Sequence, residues 1–200
     1  ALFGQYDWRG IPVIPPEIIF LPRSFYINVY EFSSWSRSVI VPLTIVFAQK
    51  PLCHLPAELH VTELFVEPHG PARYAMPVRE RGFNWNTFFV LLDSLLKISE
   101  RYTPQTLREA ALRRAEQWTL EHQDHTGDWG GIMPAMMNSV LALVRLGYSL
   151  RSLPVAKGLQ AIERFGIETA DTFRLQSCVS PVWDTVLSII ALADSGLPRT

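Results

Sequence analysis

Two stretches of this chain, 46 residues apart, repeat one another, and that repeat narrows the possible folds more than any single residue does. Met137-Asn138-Ser139-Val140-Leu141-Ala142-Leu143 lies over Trp183-Asp184-Thr185-Val186-Leu187-Ser188-Ile189, with two positions identical and three close in chemistry. Each stretch opens an apolar helix. Each follows a more charged helical segment, 104–122 in one case and 154–165 in the other. The unit is a polar-faced helix, a loop and an apolar helix. One unit alone leaves its apolar helix exposed. Stacked units cover it, as an α-solenoid or as an (α/α) barrel with the apolar helices inside. The sequence therefore predicts an all-α fold of paired helices, either a solenoid or a paired-helix (α/α) barrel incomplete within these 200 residues.

Local punctuation supports this. Pro12, Pro15, Pro16 and Pro22 forbid one long helix across 1–28 and leave room for a short turn of helix near Pro16–Phe20. Residues 29–49 read as a helix. Tyr30, Phe32, Trp35, Val39 and Val46 give it a broad apolar surface, as expected for a helix that is buried or lines an apolar space. Five prolines and three histidines (His54, His60, His69) fall between 50 and 82, which marks a long loop. Asn84–Arg101 is amphipathic. Thr103-Pro104 predicts a helix start, with Thr as cap and Pro first, and that helix runs to about His122. Further helices are expected over 135–146, stopping at Gly147, and over 154–165, stopping at Gly166. The last opens at Ser180-Pro181 and ends at Gly196-Leu197-Pro198. No run competes as a strand. The whole chain is read as part of one domain: a Pro-rich segment, 1–82, and a helical-repeat segment, 83–200.

Composition excludes several functions. Apolar residues are 48% and charged residues 18%, too apolar for a disordered chain. With 18 basic against 19 acidic residues and no basic run, nucleic acid has no electrostatic footprint to bind. Cys53 and Cys178 are far apart and match no metal spacing, so reduced cysteines in a cytoplasmic setting are expected. No signal peptide is expected at the start of the chain. The longest apolar stretch, Val39 to Ala48, holds ten residues including Pro42 and Thr44. A spanning helix needs about 20. His122 and His125 with Asp124 and Asp128 fit no standard zinc pattern, and neither a metal nor a cofactor is expected.

The loop after the first charged helix reads Arg114-Ala115-Glu116-Gln117-Trp118-Thr119-Leu120-Glu121-His122-Gln123-Asp124-His125-Thr126-Gly127-Asp128-Trp129-Gly130-Gly131. It has a basic residue, a small one, an aromatic, then Gln123 and Gly127-x-Trp129. Gln at such a place can bond free backbone groups at a helix end, and Trp can stack over it, tying neighbouring helices together. This pattern resembles the Gln-Trp repeat of triterpene cyclases. Pro15-Pro16-Glu17-Ile18 with Phe20-Leu21, Asn28-Val29-Tyr30-Glu31-Phe32-Ser33-Ser34-Trp35-Ser36-Arg37, Gly130-Gly131-Ile132 and Ser180-Pro181-Val182-Trp183-Asp184-Thr185 also look like squalene–hopene cyclases, in the same order. The likeness is weak only in the loop at 50–82.

The resemblance implies the terpenoid-cyclase barrel and a polyprene substrate such as squalene. Such enzymes protonate a terminal double bond and steer a cation through successive ring closures. Their cavity wall is apolar and offers π faces, which stabilise a carbocation without attacking it. By resemblance, Trp35, Ile132, Met133, Pro134 and Trp183 are the substrate-binding positions, while Phe32 and Ile40 lie near the substrate access channel. Gln123, Gly127 and Trp129 form the structural repeat. Ordinary core packing is the competing reading for Trp35 and Trp183. For Asp184 the alternatives are a first-turn carboxylate favoured by the helix dipole and a polar support beside the cavity. Resemblance also implies the remainder of a cyclase chain as partner, a homodimer as an assembly, and a peripheral or monotopic place on the cytoplasmic side of a membrane.

Departures matter too. The family commonly has Gln where Met133 stands, and that Gln helps hold water near the site of final proton loss. Met136 and Met137 replace bulkier aromatic types, so a reshaped wall and a changed product or substrate are expected. The second repeat lacks Gly-x-Trp after Phe173, Leu175 and Gln176. The family's acid, the central Asp of an Asp-x-Asp-Asp motif, is absent from the chain and is expected beyond Thr200. No residue here is assigned as catalytic, and the 200 residues alone are expected to be inactive. Alternatives are a cyclase for another polyprene and a non-catalytic helical-repeat module with a lipid-binding groove. Protein prenyltransferase β-type subunits share paired-helix barrels, but their zinc ligands are not seen.

Overall fold

The computed structural model describes residues 1–26, 28–61, 82 and 84–196. Six α-helices carry the fold: α1 Ser34–Gln49, α2 Trp85–Tyr102, α3 Gln105–Glu121, α4 Met133–Arg145, α5 Leu153–Glu163 and α6 Pro181–Asp194. Short 3-10 turns occur at Trp8–Gly10, Pro16–Phe20, Val29–Glu31 and Ala57–Leu59. Most of the expected long loop, with His69, lies outside the described residues. So do Leu197 and Pro198 of the expected final stop. Among the described residues the fold is all-α apart from one small hairpin.

The expected helix over 29–49 is two pieces. Buried Asn28 accepts hydrogen bonds from the backbone N–H groups of Tyr30 and Glu31 and so closes a separate 3-10 turn. Phe32 and Ser33 are then extended before α1 begins at Ser34. The Thr103-Pro104 start also shifts. Thr103 ends α2, its N–H and hydroxyl both donating to the Ser99 carbonyl, and Pro104 is the residue before α3. A residue before proline is pushed to extended backbone, so one Thr-Pro pair both stops a helix and starts the next. Asn84 does cap α2, accepting from the Thr87 N–H at 2.9 Å.

The core forms where α1, α3, α4 and α5 meet. Trp129, Met136, Val140, Leu143, Val155 and Phe165 make one apolar cluster, with Val39 packed against it. Ile45, Val46, Ala115, Trp118 and Ala142 make the second, reaching back to Ile19 and Val29. Early α1 thus meets early α4, and late α1 meets late α4, so the two helices run the same way. Asn138 Nδ2 donates to the Val39 carbonyl at 3.3 Å and fixes their register. Trp35 and Pro134 each lie four residues earlier, about 6 Å along the axis at 1.5 Å per residue. They therefore stand at the same level.

Helix α2 turns a charged face to the body and part of its apolar surface outward. Asp93, Lys97 and Glu100 share the face towards the body. Buried Asp93 accepts from the Val13 N–H at 2.8 Å and pairs with Lys97 at 2.7 Å. Glu100 pairs with Lys50 at 3.0 Å, and Arg108, held by Glu17 at 2.6 Å, stands 3.9 Å from the same carboxylate. Leu91, Leu95, Ile98 and Tyr102, spaced as one helical stripe, are exposed, as are Trp85 and Phe89. The sequence puts Phe88, Leu91, Leu92, Leu95 and Leu96 on one side; Phe88, Leu92 and Leu96 are half-buried while Leu91 and Leu95 point outward, so the exposed stripe is only partly the one the pattern shows.

Helix α5 starts at Leu153 behind Ser152 and ends at Glu163. Gly166 is not the expected stop. It opens a two-stranded antiparallel hairpin, β1 Gly166–Glu168 and β2 Phe173–Leu175, with Gly166 opposite Leu175. The Phe173 ring lies where a Cβ on Gly166 would be, 2.9 Å away, which explains a glycine at that position. Residues 176–179 then return to α4. Met133 N–H donates to the Ser177 carbonyl, and Val179 N–H donates to the Gly131 carbonyl, both at 2.9 Å. This ladder delivers the chain to α6, every residue of which is exposed.

A hydrogen bond from Tyr148 to Glu116, 2.7 Å, joins the chain after α4 to α3. The carboxylate accepting that bond, with some burial, raises the Tyr148 pKa above the ordinary tyrosine value. A raised folded-state pKa means the bond's contribution is complete below the unfolded value and is lost as pH rises through the folded one. Tyr148→Phe is expected to cost about 1 kcal/mol at neutral pH, allowing for solvent screening of a partly exposed group. The difference from the parent protein should shrink in alkali above about pH 10. Urea denaturation of both proteins at pH 7 and in alkali checks this. An equal gap at both pH values would remove the bond from the account.

Candidate functional site

Two structures meet at the start of α4. The first is the loop between α3 and α4. Helix α3 ends with exposed carbonyls, as every helix does. His122 N–H takes the Trp118 carbonyl and Gln123 N–H takes that of Leu120. The Thr119 carbonyl between them is filled by the indole N–H of Trp129, at 2.7 Å. Trp129 is 0% exposed. Its ring lies on α5 at Gly158, where a Cβ would come within 3.0 Å of it. Gln123 Nε2 donates to the Pro154 carbonyl in the first turn of α5, 2.8 Å, and to the Gly127 carbonyl, 3.0 Å. The division of labour differs from the one the sequence suggested: Trp reaches the helix end and Gln reaches the next helix. Thr119, Pro154 and Gly158 are partners that sequence reasoning missed. A lone glycine inside a helical pattern, as at Gly158, is the available signal for close packing.

The rest of this loop closes on itself. Asp124 N–H bonds the Asp128 carbonyl, and Gly127 N–H bonds that of Asp124. The Asp128 carboxylate accepts from Gly131 N–H at 3.0 Å and from the Thr126 hydroxyl at 2.5 Å. The His125 ring and backbone N–H beside Asp124 hold its carboxyl below the usual carboxylate range. His122 stacks on Trp118 at 3.8 Å. The residues weighed as metal ligands are thus occupied in loop bonds and stacking, and no group of three potential ligands occurs among the described residues.

The second structure comprises the first turns of α1 and α4 and the ladder that leads from α4 to α6. Parallel packing of α1 on α4 sets Trp35 level with Pro134. The Gly131–Met133 ladder with Ser177–Val179, which includes the Ile132–Cys178 bridge, brings the start of α6 beside Ile132. Trp35 is 61% and Trp183 66% exposed, so neither is buried among the described residues. Pro134 and Met137 are also exposed, Phe32 is at the margin of exposure and Ile40 is half-buried. Met133 differs from these: it is 7% exposed and packs in the core with Trp129 and Met136. Asp184, exposed in the first turn of α6, has the placement that the helix dipole favours. Trp35 and the start of α6 are thus set by two separate devices, a helix register and a short ladder. Neither device is visible in residue types alone.

Helices paired through a Gln–Trp joint, with aromatic side chains displayed at one end, define a helical-repeat protein of the terpenoid-cyclase class. The model of the squalene-hopene cyclase N-terminal domain matches residues 1–171. The chain is 39% identical over 199 residues to dammaradiene synthase of Dryopteris crassirhizoma, covering 99% of this chain and 29% of that protein. It is 39% identical over 206 residues to a squalene hopane cyclase of Aspergillus fumigatus, covering 98% and 27%. With the squalene–hopene cyclase of Alicyclobacillus acidocaldarius it is 37% identical over 199 residues, covering 99% and 31%. This chain belongs to the squalene–hopene cyclase family. It spans less than a third of the length of these relatives.

Proposed function

We propose that this chain forms one wall of the cavity of a triterpene cyclase, which folds squalene or a related polyprene and closes it into rings through a cation. The observation that carries the reading is that Trp35 stands level with Pro134 while the ladder at Ile132 leads into the first turn of α6, which holds Trp183. Trp35 and Trp183 are largely exposed, as are Pro134 and Met137, and Ile132 is half-buried, so these apolar side chains are free to face a substrate. An indole face stabilises a cation by about 2 kcal/mol in a dry site. Ile132 and Pro134 add shape without offering a nucleophile. Phe32 and Ile40, on the α1 side of the same end, are the proposed approach for the substrate. The first proton comes from outside these residues, since no Asp-x-Asp-Asp motif is present among them. Met133, turned into the core, supplies only a weak acceptor. Its proposed effect is on product, through water no longer held near the last cation.

The full-length protein should convert squalene, and Trp183→Ala should lower turnover about thirtyfold, the rate equivalent of the cation–π energy above. Trp35→Ala should do the same while Tyr148→Phe leaves turnover unchanged. Products are read by mass spectrometry, and incompletely cyclised hydrocarbons should accumulate in both tryptophan variants. Unchanged product and rate in both would remove these residues from the wall. Binding of a polyprene without turnover would favour the lipid-binding module.

A place at the membrane belongs to the same proposal. No helix among the described residues is long and apolar enough to cross a bilayer. Helix α2 is suited to lie in the interface instead. Its charged face is held by the body and its outer stripe of Leu91, Leu95, Ile98 and Tyr102 meets nothing described.

A further inference from the structure

Between the inner face of α2 and the N-terminal segment lies a cleft of about 480 Å³. One side is apolar: Trp8 and Phe47, in edge-to-face contact at 5.8 Å, with Ile11, Pro12 and Val13 beside them. The other side is cationic, formed by Arg9, Lys50, Lys97 and Arg101, with Glu100 as its single acid. Three of the cations have carboxylate partners. Arg9 pairs with Asp7, Lys97 with Asp93 and Lys50 with Glu100. Arg101 has none among the described residues, and it is exposed at the end of α2, one turn beyond Lys97. The closing dipole of a helix favours a basic residue in its last turn. That accounts for a cation at this position but not for its place on the wall of a half-apolar cleft.

We infer that this cleft takes the phosphate head of an anionic phospholipid, with Arg101 as its anchor and the Trp8–Phe47 wall against the glycerol and upper acyl carbons. The inference rests on the membrane reading of α2. An interfacial helix sinks its apolar face about 5–10 Å into the boundary of head groups and chains. A helix is about 10 Å across. When the Leu91–Tyr102 stripe meets the chains, the opposite face of α2 lies at the level of the phosphates. The cleft opens on that face. An arginine fork matches a phosphate with two parallel hydrogen bonds, and Arg101 is free to make them without breaking an ion pair. An amphiphile satisfies both walls together, whereas a free anion leaves Trp8 and Phe47 uncovered.

The test uses the full-length protein in two measurements. In the first, monomeric short-chain phosphatidylglycerol is titrated by calorimetry against the parent protein and Arg101→Gln. The variant should bind about fivefold more weakly, the worth of one basic residue at an anionic surface. Equal affinity in both would overturn the proposal, and so would inorganic phosphate binding as tightly as the lipid, which marks a plain anion site. In the second, the protein is floated with phosphatidylcholine vesicles, with and without phosphatidylglycerol. Arg101→Gln should lose the preference for anionic vesicles and keep the binding to neutral ones. Leu95→Asp should lose both. Should neither Leu95→Asp nor the parent protein differ in flotation, the membrane reading fails, while the titration still decides the cleft.

Discussion

Trp129→Ala is expected to lower the stability of this protein by about 4 kcal/mol, within the range for removing a large buried aromatic side chain. Three losses coincide at this residue. The cavity opens between α4 and α5, where the ring touches Gly158 and joins the cluster of Met136 and Val140. The Thr119 carbonyl at the end of α3 loses its partner in a dry place. The loop then keeps only the bonds from Gln123 to Pro154 and from Arg164 to the Thr126 carbonyl to hold it to α5. Trp129→Phe separates these effects, because it keeps most of the volume and removes the N–H. It should cost about 2 kcal/mol, near the penalty for an unsatisfied buried acceptor. Equilibrium urea unfolding of the three proteins measures both. If Trp129→Phe is as stable as the parent protein, the indole bond contributes nothing and packing alone accounts for the clamp.

Gly127→Ala is the second large effect, at about 3 kcal/mol. Gly127 has φ +92° and faces the Lys157 carbonyl of α5, whose oxygen is 2.5 Å from the place of a Cβ. A side chain there meets two separate costs. Left-handed backbone in a residue with a Cβ costs about 1–3 kcal/mol, and pushing α5 away costs a further 1–3 kcal/mol or so. Gly147→Ala is the internal comparison. Its φ is +102° but no atom lies within 4 Å of the Cβ position. It should show only the backbone part. Similar thermal shifts for the two variants would mean that contact with α5 is not what fixes Gly127.

Much of the fold could be read from residue types, and the exceptions share a cause. The Ser180-Pro181 pair announced a helix start that the structure has, because a proline at the first helical position is a local signal, although Ser180 makes no side-chain cap bond. The Gln123–Trp129 segment announced a joint, though not which side chain reaches which helix. That depends on the Thr119 carbonyl being the one left over after His122 and Gln123 have taken its neighbours. The hairpin at 166–175 went unread because Gly166 fits a helix stop as well as a strand packed under Phe173. The direction of α2 was hidden for a similar reason. Periodicity places Leu91 and Leu95 on one stripe, but only Val13 and Lys50, distant in sequence, show that the opposite stripe faces the body. As for the site, Trp35 and Trp183 could be singled out. Where each is set follows from the Asn138–Val39 bond for Trp35 and from the ladder at Gly131 for the start of α6, contacts between distant parts of the chain.

The joint between α3 and α5 grips main chain rather than side chains. Trp129 and Gln123 reach three carbonyl oxygens, those of Thr119, Pro154 and Gly127. Every amino acid brings the same carbonyl. A coupling of that kind is blind to what is written on the helices it joins. Outside the small residues it needs at Gly127 and Gly158, the helices are free to change their faces, and so the space they enclose, while the coupling still closes. Shape in such a protein can then be re-cut one helix at a time, with the fastening kept as standard hardware from one design to the next.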